Sequence, residues 1–216
     1  MQYTKNNTLN NTNTLGPYKI VLLGDGCIGK STFFHKLSTL NDPNYQFPKK
    51  YNATDNFDFN RITLNYHNEN IIIDLWDTAG QEKNKGGLLR DAYLKGADGV
   101  LLLYDISEKS TCDNISKWLG QIKNVCGKIP VSVLGNKCDK FSDLQQSESV
   151  KLRECNLIRD VGHPNIRNFL ISIKENTHIE SSSSYWSSIV NYKEVIGCMT
   201  GLEYILSQLT KKNIVL

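Results

Sequence analysis

Gly24, Gly29, Lys30 and Ser31 stand in the order Gly-x-x-x-x-Gly-Lys-Ser, inside the run VLLGDGCIGKST from Val21 to Thr32. Glycines at 24, 26 and 29, followed by one cation and two hydroxyls, suit the gripping of a polyanion better than a plain turn. Phosphate oxygens need several backbone N–H groups converging on one point, and glycine permits the backbone angles and the close approach. A helix opening at Lys30 adds free N–H groups and partial positive charge. In this reading Asp25, Gly26, Cys27, Ile28 and Gly29 present backbone to the phosphates. Lys30 reaches the β- and γ-phosphates as a point charge. Ser31 and Thr32 follow in the same loop, with the Ser31 hydroxyl as a Mg2+ ligand. A glycine-rich turn with no ligand is the bland alternative. The cradle is favoured because the pattern follows an apolar run and opens a helical one.

Two more polar stretches follow apolar runs. Asp77-Thr-Ala-Gly80-Gln81 comes after Ile71–Trp76. There Asp77 could hold Mg2+, Gly80 could give its N–H to a γ-phosphate, and Gln81 could orient an attacking water. Asn136-Lys137-Cys138-Asp139 comes after Val131–Leu134. The Asp139 carboxylate can accept two hydrogen bonds from the ring N–H and exocyclic amine of guanine. Adenine offers no such pair, so the wrong base leaves a carboxylate unsatisfied. Asn136 can bond the other edge of the base, and the Lys137 stem can lie against ring or loop. Each stretch alone reads as an ordinary loop. In order, each after a strand, they supply the parts of one nucleotide site.

Positioning these loops takes a particular framework. Tyr18–Leu23, Val100–Tyr104, Val131–Leu134 and Phe169–Ile173 are short apolar runs that read as buried strands. Phe57–Tyr66 alternates with one slip and reads as a strand with one face exposed. It pairs with Ile71–Trp76 across the turn at 67–70. Helical spacing marks Lys30–Leu40, the stretch holding Ile115, Trp118, Leu119, Ile122 and Val125, a weaker segment at Val150–Ile158, and a closing helix from Met199 to Leu209. The alternation predicts an α/β fold: one P-loop domain with a six-stranded, mostly parallel sheet and helices on both faces. The domain is expected over 17–212. A disordered Asn/Thr-rich arm precedes it at 1–16, and an inserted loop lies at about 177–191.

The 216 residues fit one domain, and 39% hydrophobic residues suffice for a core. A formal charge of +3 is too small to argue for nucleic acid or an anionic membrane, and no direct nucleic-acid partner is expected. Cysteines at 27, 112, 126, 138, 155 and 198 form no C-x-x-C pair, which fits free thiols in a reducing compartment. Cys27 lies near a helix N-terminus, where a thiol can react, but a small tolerated side chain is the favoured reading. No apolar run approaches a membrane span. No lipidation box is found at either end, so neither a lipid anchor nor a membrane span is expected. A cytoplasmic location follows, with nuclear entry left open.

The phrases GDGCIGKST (24–32), KKYNAT (49–54), WDTAGQEK (76–83), GGLLRDAY (86–93) and NKCD (136–139) resemble the Ras-like small GTPases, and within them the Ran branch most. The resemblance covers residues 18–140 well and the rest loosely. It implies GTP and GDP as ligands, with Mg2+. It implies that Thr54 is the switch threonine, meeting Mg2+ and the γ-phosphate in the GTP state. It also implies that 41–56 and 78–92 are the switches, and that Ser172, Ile173 and Lys174 form the loop that meets the guanine oxygen. Lys30, Thr54 and Gln81 would then carry catalysis. An exchange factor, an activating protein and effectors are the implied partners. Asp55-Asn56 stands where the Ran branch has Leu-Gly, Ile173 replaces an alanine, and the branch's acidic tail is absent. Intrinsic turnover should be on the order of 10⁻⁴ to 10⁻² s⁻¹. Arg61 and Arg90 flank the switches and read as surface charge. Two other readings remain: a module that binds GDP or GTP without hydrolysis, and an ATP-using P-loop enzyme, which Asp139 disfavours.

Overall fold

The structure is a computed structural model that describes residues 14–39, 57–66, 69–78, 87–140, 156, 158, 162–175, 177–179 and 199–213. Seven strands form one sheet: β1 (Thr14–Leu23), β2 (Phe57–Tyr66), β3 (Glu69–Thr78), β4 (Gly99–Asp105), β5 (Val131–Asn136), β6 (Ile166–Ser172) and β7 (Thr177–Ile179). Their order is β2-β3-β1-β4-β5-β6-β7. The pairs β3–β1, β1–β4, β4–β5 and β5–β6 are parallel, while β2–β3 and β6–β7 are antiparallel. The six expected strands are therefore present and mostly parallel. The seventh is a three-residue edge strand inside the stretch expected as an inserted loop.

β4 and β5 are buried along their whole length, as strands covered on both faces must be. One apolar layer joins Ile20, Leu22, Ile71, Ile73, Leu101 and Leu103 to α1 (Lys30–Ser38) and to the last helix, α5 (Thr200–Asn213). The other joins Val21, Leu23, Val100, Leu102, Val131 and Val133 to Leu94, Cys112, Trp118 and Leu119. Those four lie on α2 (Gly87–Leu94), α3 (Lys109–Asp113) and α4 (Ile115–Cys126). Alternate residues of each strand feed opposite layers, as the period of two requires.

Three features differ from expectation. β1 starts at Thr14, inside the expected arm, because β3 starts at Glu69 and offers Asn70 and Ile71 as partners for Thr14 and Leu15. Residues 1–13 lie outside the described residues. The slip in β2 is no irregularity, since its register with β3 runs unbroken from Phe57 to Tyr66. Ile62, Leu64 and Tyr66 are buried, whereas Phe57 and Phe59, of opposite parity, are 42% and 47% exposed on the other face. There they pack on Trp76, with ring centroids 5.2 and 5.3 Å away, and Phe57 also meets Tyr93 at 5.2 Å. Finally, α2 occupies part of the segment expected as the second switch. No helix among the described residues is long and apolar enough to cross a membrane.

Candidate functional site

All the parallel strands point their carboxyl ends to one edge. The chain moves to one side of β1 through β3 and to the other through β4, so the edge above β1 is a topological switch point, where ligands bind in open α/β sheets. β1 ends at Leu23, beside the loop 24–29. Asp77 on β3 pairs in register with Leu22. Asn136 closes β5 and Ser172 closes β6.

The loop 24–29 is tight. Gly29 caps α1 with φ 102° and ψ 18°, in the left-handed region. A Cβ there would lie 2.6 Å from Asn136 Nδ2, and one on Gly24, at φ 135°, would strike the Leu103 carbonyl. Both glycines are thus required by the backbone path itself. Cys27 also has positive φ, at 58°, and is exposed. Lys30, which opens α1, is 5% exposed, and its Nζ donates to the Asp25 carbonyl. Burial of a lysine head costs free energy unless it is hydrogen-bonded. The loop carbonyl meets that need in the same place where phosphate oxygens could.

Side chains at 136 and 137 bind the three stretches together. Asn136 Nδ2 donates to the Ile28 carbonyl at 2.9 Å, while Asn136 Oδ1 accepts from the Ile173 N–H at 3.2 Å. Lys137, itself at φ 69°, donates from Nζ to the Cys27 carbonyl at 3.0 Å. Asp139 is exposed and accepts the Ser172 hydroxyl at 2.6 Å. Lys36 on α1 donates to the Ile173 carbonyl at 3.0 Å. The expected stretches 24–31, 136–139 and 172–173 therefore meet at one place. Lys174 instead forms a surface pair with Glu175 at 2.9 Å.

Further residues, not assigned to the site from the sequence, complete the arrangement. Asp105, at the end of β4, takes Lys137 Nζ at 2.6 Å through one oxygen and the Ser107 hydroxyl and N–H through the other. Burial alone would raise its pKa. The hydrogen bonds from Lys137 and Ser107, together with the lysine charge, outweigh that and hold the carboxyl below its ordinary value. Asn114 Nδ2 and Trp118 Nε1 donate to the two Asp25 oxygens at 2.8 and 3.0 Å. Thr78, beside Asp77, donates its hydroxyl to the Leu22 carbonyl at 2.7 Å and ties β3 to the base of the loop.

Asp77 is fully buried at the switch-point edge, and Ser31 lies in the first turn of α1. A carboxylate and a hydroxyl are both hard oxygen donors, which fits Mg2+. Thr54, Gly80 and Gln81 lie outside the described residues, as do 41–56 and 79–86 of the expected switches. Arg61 is bound in a two-pronged pair to Asp74, at 2.6 and 2.9 Å, on the exposed face of β2 and β3. That contact agrees with surface charge. The Arg90 side chain lies outside the described residues.

The match to known proteins decides the family. Residues 19–188 match the Ras family. The chain belongs to the Ras family. It is 36% identical over 135 residues to the "Ras and EF-hand domain-containing protein homolog" of Mus musculus, covering 62% of this chain and 20% of that protein. It is 36% identical over 124 residues to the "GTP-binding nuclear protein GSP1" of Encephalitozoon cuniculi, covering 56% of this chain and 55% of that one. With the "Ras-related protein Rab-13" of Canis lupus familiaris it shares 32% identity over 170 residues, covering 77% of this chain and 76% of the relative. The first two relatives are thus matched over less than two thirds of their own length. As a Ras-family chain it has similar relatives in several branches, of which the Ran-like one is a single case.

Proposed function

We propose that this chain is a guanine-nucleotide switch that binds GTP and GDP with Mg2+ and slowly hydrolyses GTP to GDP. The observation that carries this reading is the double contact of Asn136, which ties the phosphate loop at Ile28 to the base loop at Ile173. It sets a glycine cradle beside an Asp139 carboxylate whose orientation Ser172 fixes.

In this reading the backbone N–H groups of 25–29 and the Lys30 ammonium hold the phosphates. Asp139 accepts from the ring N–H and amine of guanine, and Lys137 lies along the loop beside it. Ser31, Thr54 and Asp77 would hold Mg2+, which when bound neutralises phosphate charge. Gln81 orients the attacking water, and Gly80 meets the γ-phosphate. Loss of that phosphate releases 41–56 and 78–92. Exposed Phe57 and Phe59, packed on half-buried Trp76 and Tyr93, form an aromatic face bordering both segments, a suitable surface for effectors to read. Activating and exchange proteins would act on the same segments, because the intrinsic rates of such sites are slow. Ran-like partners are the finer part of the proposal. The phrases at 49–54 and 86–93 support it, as does the similarity to a relative named a GTP-binding nuclear protein.

The test is nucleotide binding by the purified chain with Mg2+, followed by single-turnover hydrolysis of pre-loaded GTP with Gln81→Leu as control. GDP and GTP should bind, ATP should not compete, and the variant should lose hydrolysis. Equal competition by ATP would refute the base assignment. Binding of GTP with no turnover in either form, with or without an activating protein, would leave a binding module in place of a GTPase. Proteins retained by the Gln81→Leu form loaded with GTP, and not by the GDP form, would identify the effectors and test the Ran-like assignment.

A further inference from the structure

Asp25 places a negative charge in the very loop read as a phosphate cradle. Like charges repel, so this carboxylate works against phosphate binding by simple Coulomb interaction. Its geometry gives it another task. Oδ2 accepts from Asn114 Nδ2 at 2.8 Å and Oδ1 from Trp118 Nε1 at 3.0 Å. The two donors stand one turn apart at the start of α4, and the Trp118 N–H donates to the Asn114 carbonyl at 3.0 Å. Trp118 is 1% exposed in the apolar layer, so its indole cannot swing without repacking that layer. The backbone carbonyl of the same Asp25 accepts from Lys30 Nζ. Asp25 is thus fixed by α4 through its side chain and bound to Lys30 through its main chain. On the other flank of the loop, Asn136 and Lys137 hold the carbonyls of Ile28 and Cys27.

We propose that Asp25 is a positioning residue that anchors the phosphate loop to α4 through Trp118 and Asn114, and that this anchor sets the rate of nucleotide release. The inference rests on the guanine-nucleotide reading above. Its chemistry needs a polar side chain that pairs with both Trp118 Nε1 and the Asn114 amide, not a negative charge. An asparagine at 25 can do the same: its carbonyl accepts from Trp118, and its amide donates to Asn114 once that amide turns over. Alanine can do neither. Phenylalanine at 118 keeps most of the apolar bulk and removes the N–H.

The experiment is release of a fluorescent GDP analogue from the full chain with Mg2+, for wild type, Asp25→Ala, Asp25→Asn, Trp118→Phe, Asn114→Ala and the Asp25→Ala/Trp118→Phe pair. Far-UV circular dichroism checks the fold of each. Loss of a hydrogen bond to a charged group predicts release on the order of ten- to hundred-fold faster in Asp25→Ala. Trp118→Phe should show a similar effect, and the pair should be no faster than Asp25→Ala alone, because one anchor is lost only once. Asp25→Asn should recover most of the loss, to within about three-fold of wild type on the same reasoning. A merely structural role would give multiplying effects and no recovery by asparagine. Should Trp118→Phe fail to fold, Asn114→Ala tests the same anchor through its other donor. Wild-type release rates in Asp25→Ala and Asn114→Ala, or multiplicative effects in the pair, overturn the inference alone. A wild-type chain that retains no GDP overturns the guanine-nucleotide reading and this inference with it.

Discussion

Ser172 donates its hydroxyl to Asp139 Oδ1 at 2.6 Å, and the Glu175 N–H donates to the same Ser172 oxygen at 3.1 Å. Ser172 is buried and Asp139 is exposed. A serine fixed by its own backbone turn therefore aims a solvent-facing carboxylate. Ser172→Ala should leave the fold intact and weaken GDP binding about ten-fold, the worth of one charge-assisted hydrogen bond. Asp139→Asn should shift preference from guanine to xanthine nucleotides, because the amide now donates where the carboxylate accepted. Competition titration with GDP, XDP and ADP checks both, and unaltered GDP preference in Asp139→Asn would refute the base assignment.

Two glycines give opposite expectations for the same change. At Gly29, with φ 102°, an added methyl meets Asn136 Nδ2 at 2.6 Å. Gly29→Ala should cost about 1–3 kcal/mol of stability and most of the nucleotide affinity. Gly120 lies within α4, and a Cβ there has nothing within 4 Å. Gly120→Ala should stabilise the fold by about 0.5–1 kcal/mol and leave binding unchanged. Urea unfolding of both variants is the measurement.

Acid should loosen the Lys137 anchor in a defined direction. Asp105 has its pKa lowered below 3.8, its hydrogen bonds and the Lys137 charge outweighing the effect of burial. A lowered folded-state pKa means that the stability it confers is present above the unfolded value and is lost as pH falls through the folded one. Lys137→Met should cost about 1–3 kcal/mol near neutral pH, since it leaves a buried carboxylate short of its partner. The gap to wild type should shrink below about pH 4 as Asp105 takes up its proton. A gap that stays constant from pH 7 to 3 would contradict this.

A second acid effect lies at the opposite edge of the sheet. His163 is buried, its Nε2 donates to the Gly127 carbonyl at 3.1 Å, and its Nδ1 accepts from the Asn165 N–H at 3.4 Å. Burial lowers its pKa, with the Lys123 charge acting in the same direction and the Gly127 bond opposing. The neutral ring is therefore the folded form, and its contribution is full above about pH 6.5 and is lost as pH falls through the lower folded value. His163→Gln should flatten the fall in melting temperature between neutral pH and about pH 5, compared with wild type.

The phosphate loop was legible from its own spacing, glycines followed by Lys30-Ser31 between an apolar run and a helical one. Asp77 with Gly80 and Asn136 with Asp139 are ordinary loops singly and gain meaning only from their order, each after a strand; Gly80 lies outside the described residues. Their supports carry no such mark. Asp105 is one carboxylate at a strand end, and nothing near it in the chain indicates that it faces Lys137. Trp118 falls on the apolar stripe of α4, and that stripe hides the one polar atom it carries to Asp25. β2 shows a subtler limit. Its change of parity between Phe59 and Ile62 reads as an irregular strand when only one buried face is assumed. The unbroken register with β3 shows two apolar faces instead. Short elements such as α3 and β7, of five and three residues, are set by their neighbours more than by their own periodicity.

The two-way grip of Asn136 carries a cost in time. It brings together backbone at 28 and 173, stretches that reach one another only after β5 and β6 have taken their places in the sheet. Such distant pairings slow folding, because loop-closure entropy opposes them before their contacts form. On the proposed reading, nucleotide binds the finished pocket in which Asn136 joins the two loops. Surplus ligand would then stabilise the finished state by mass action.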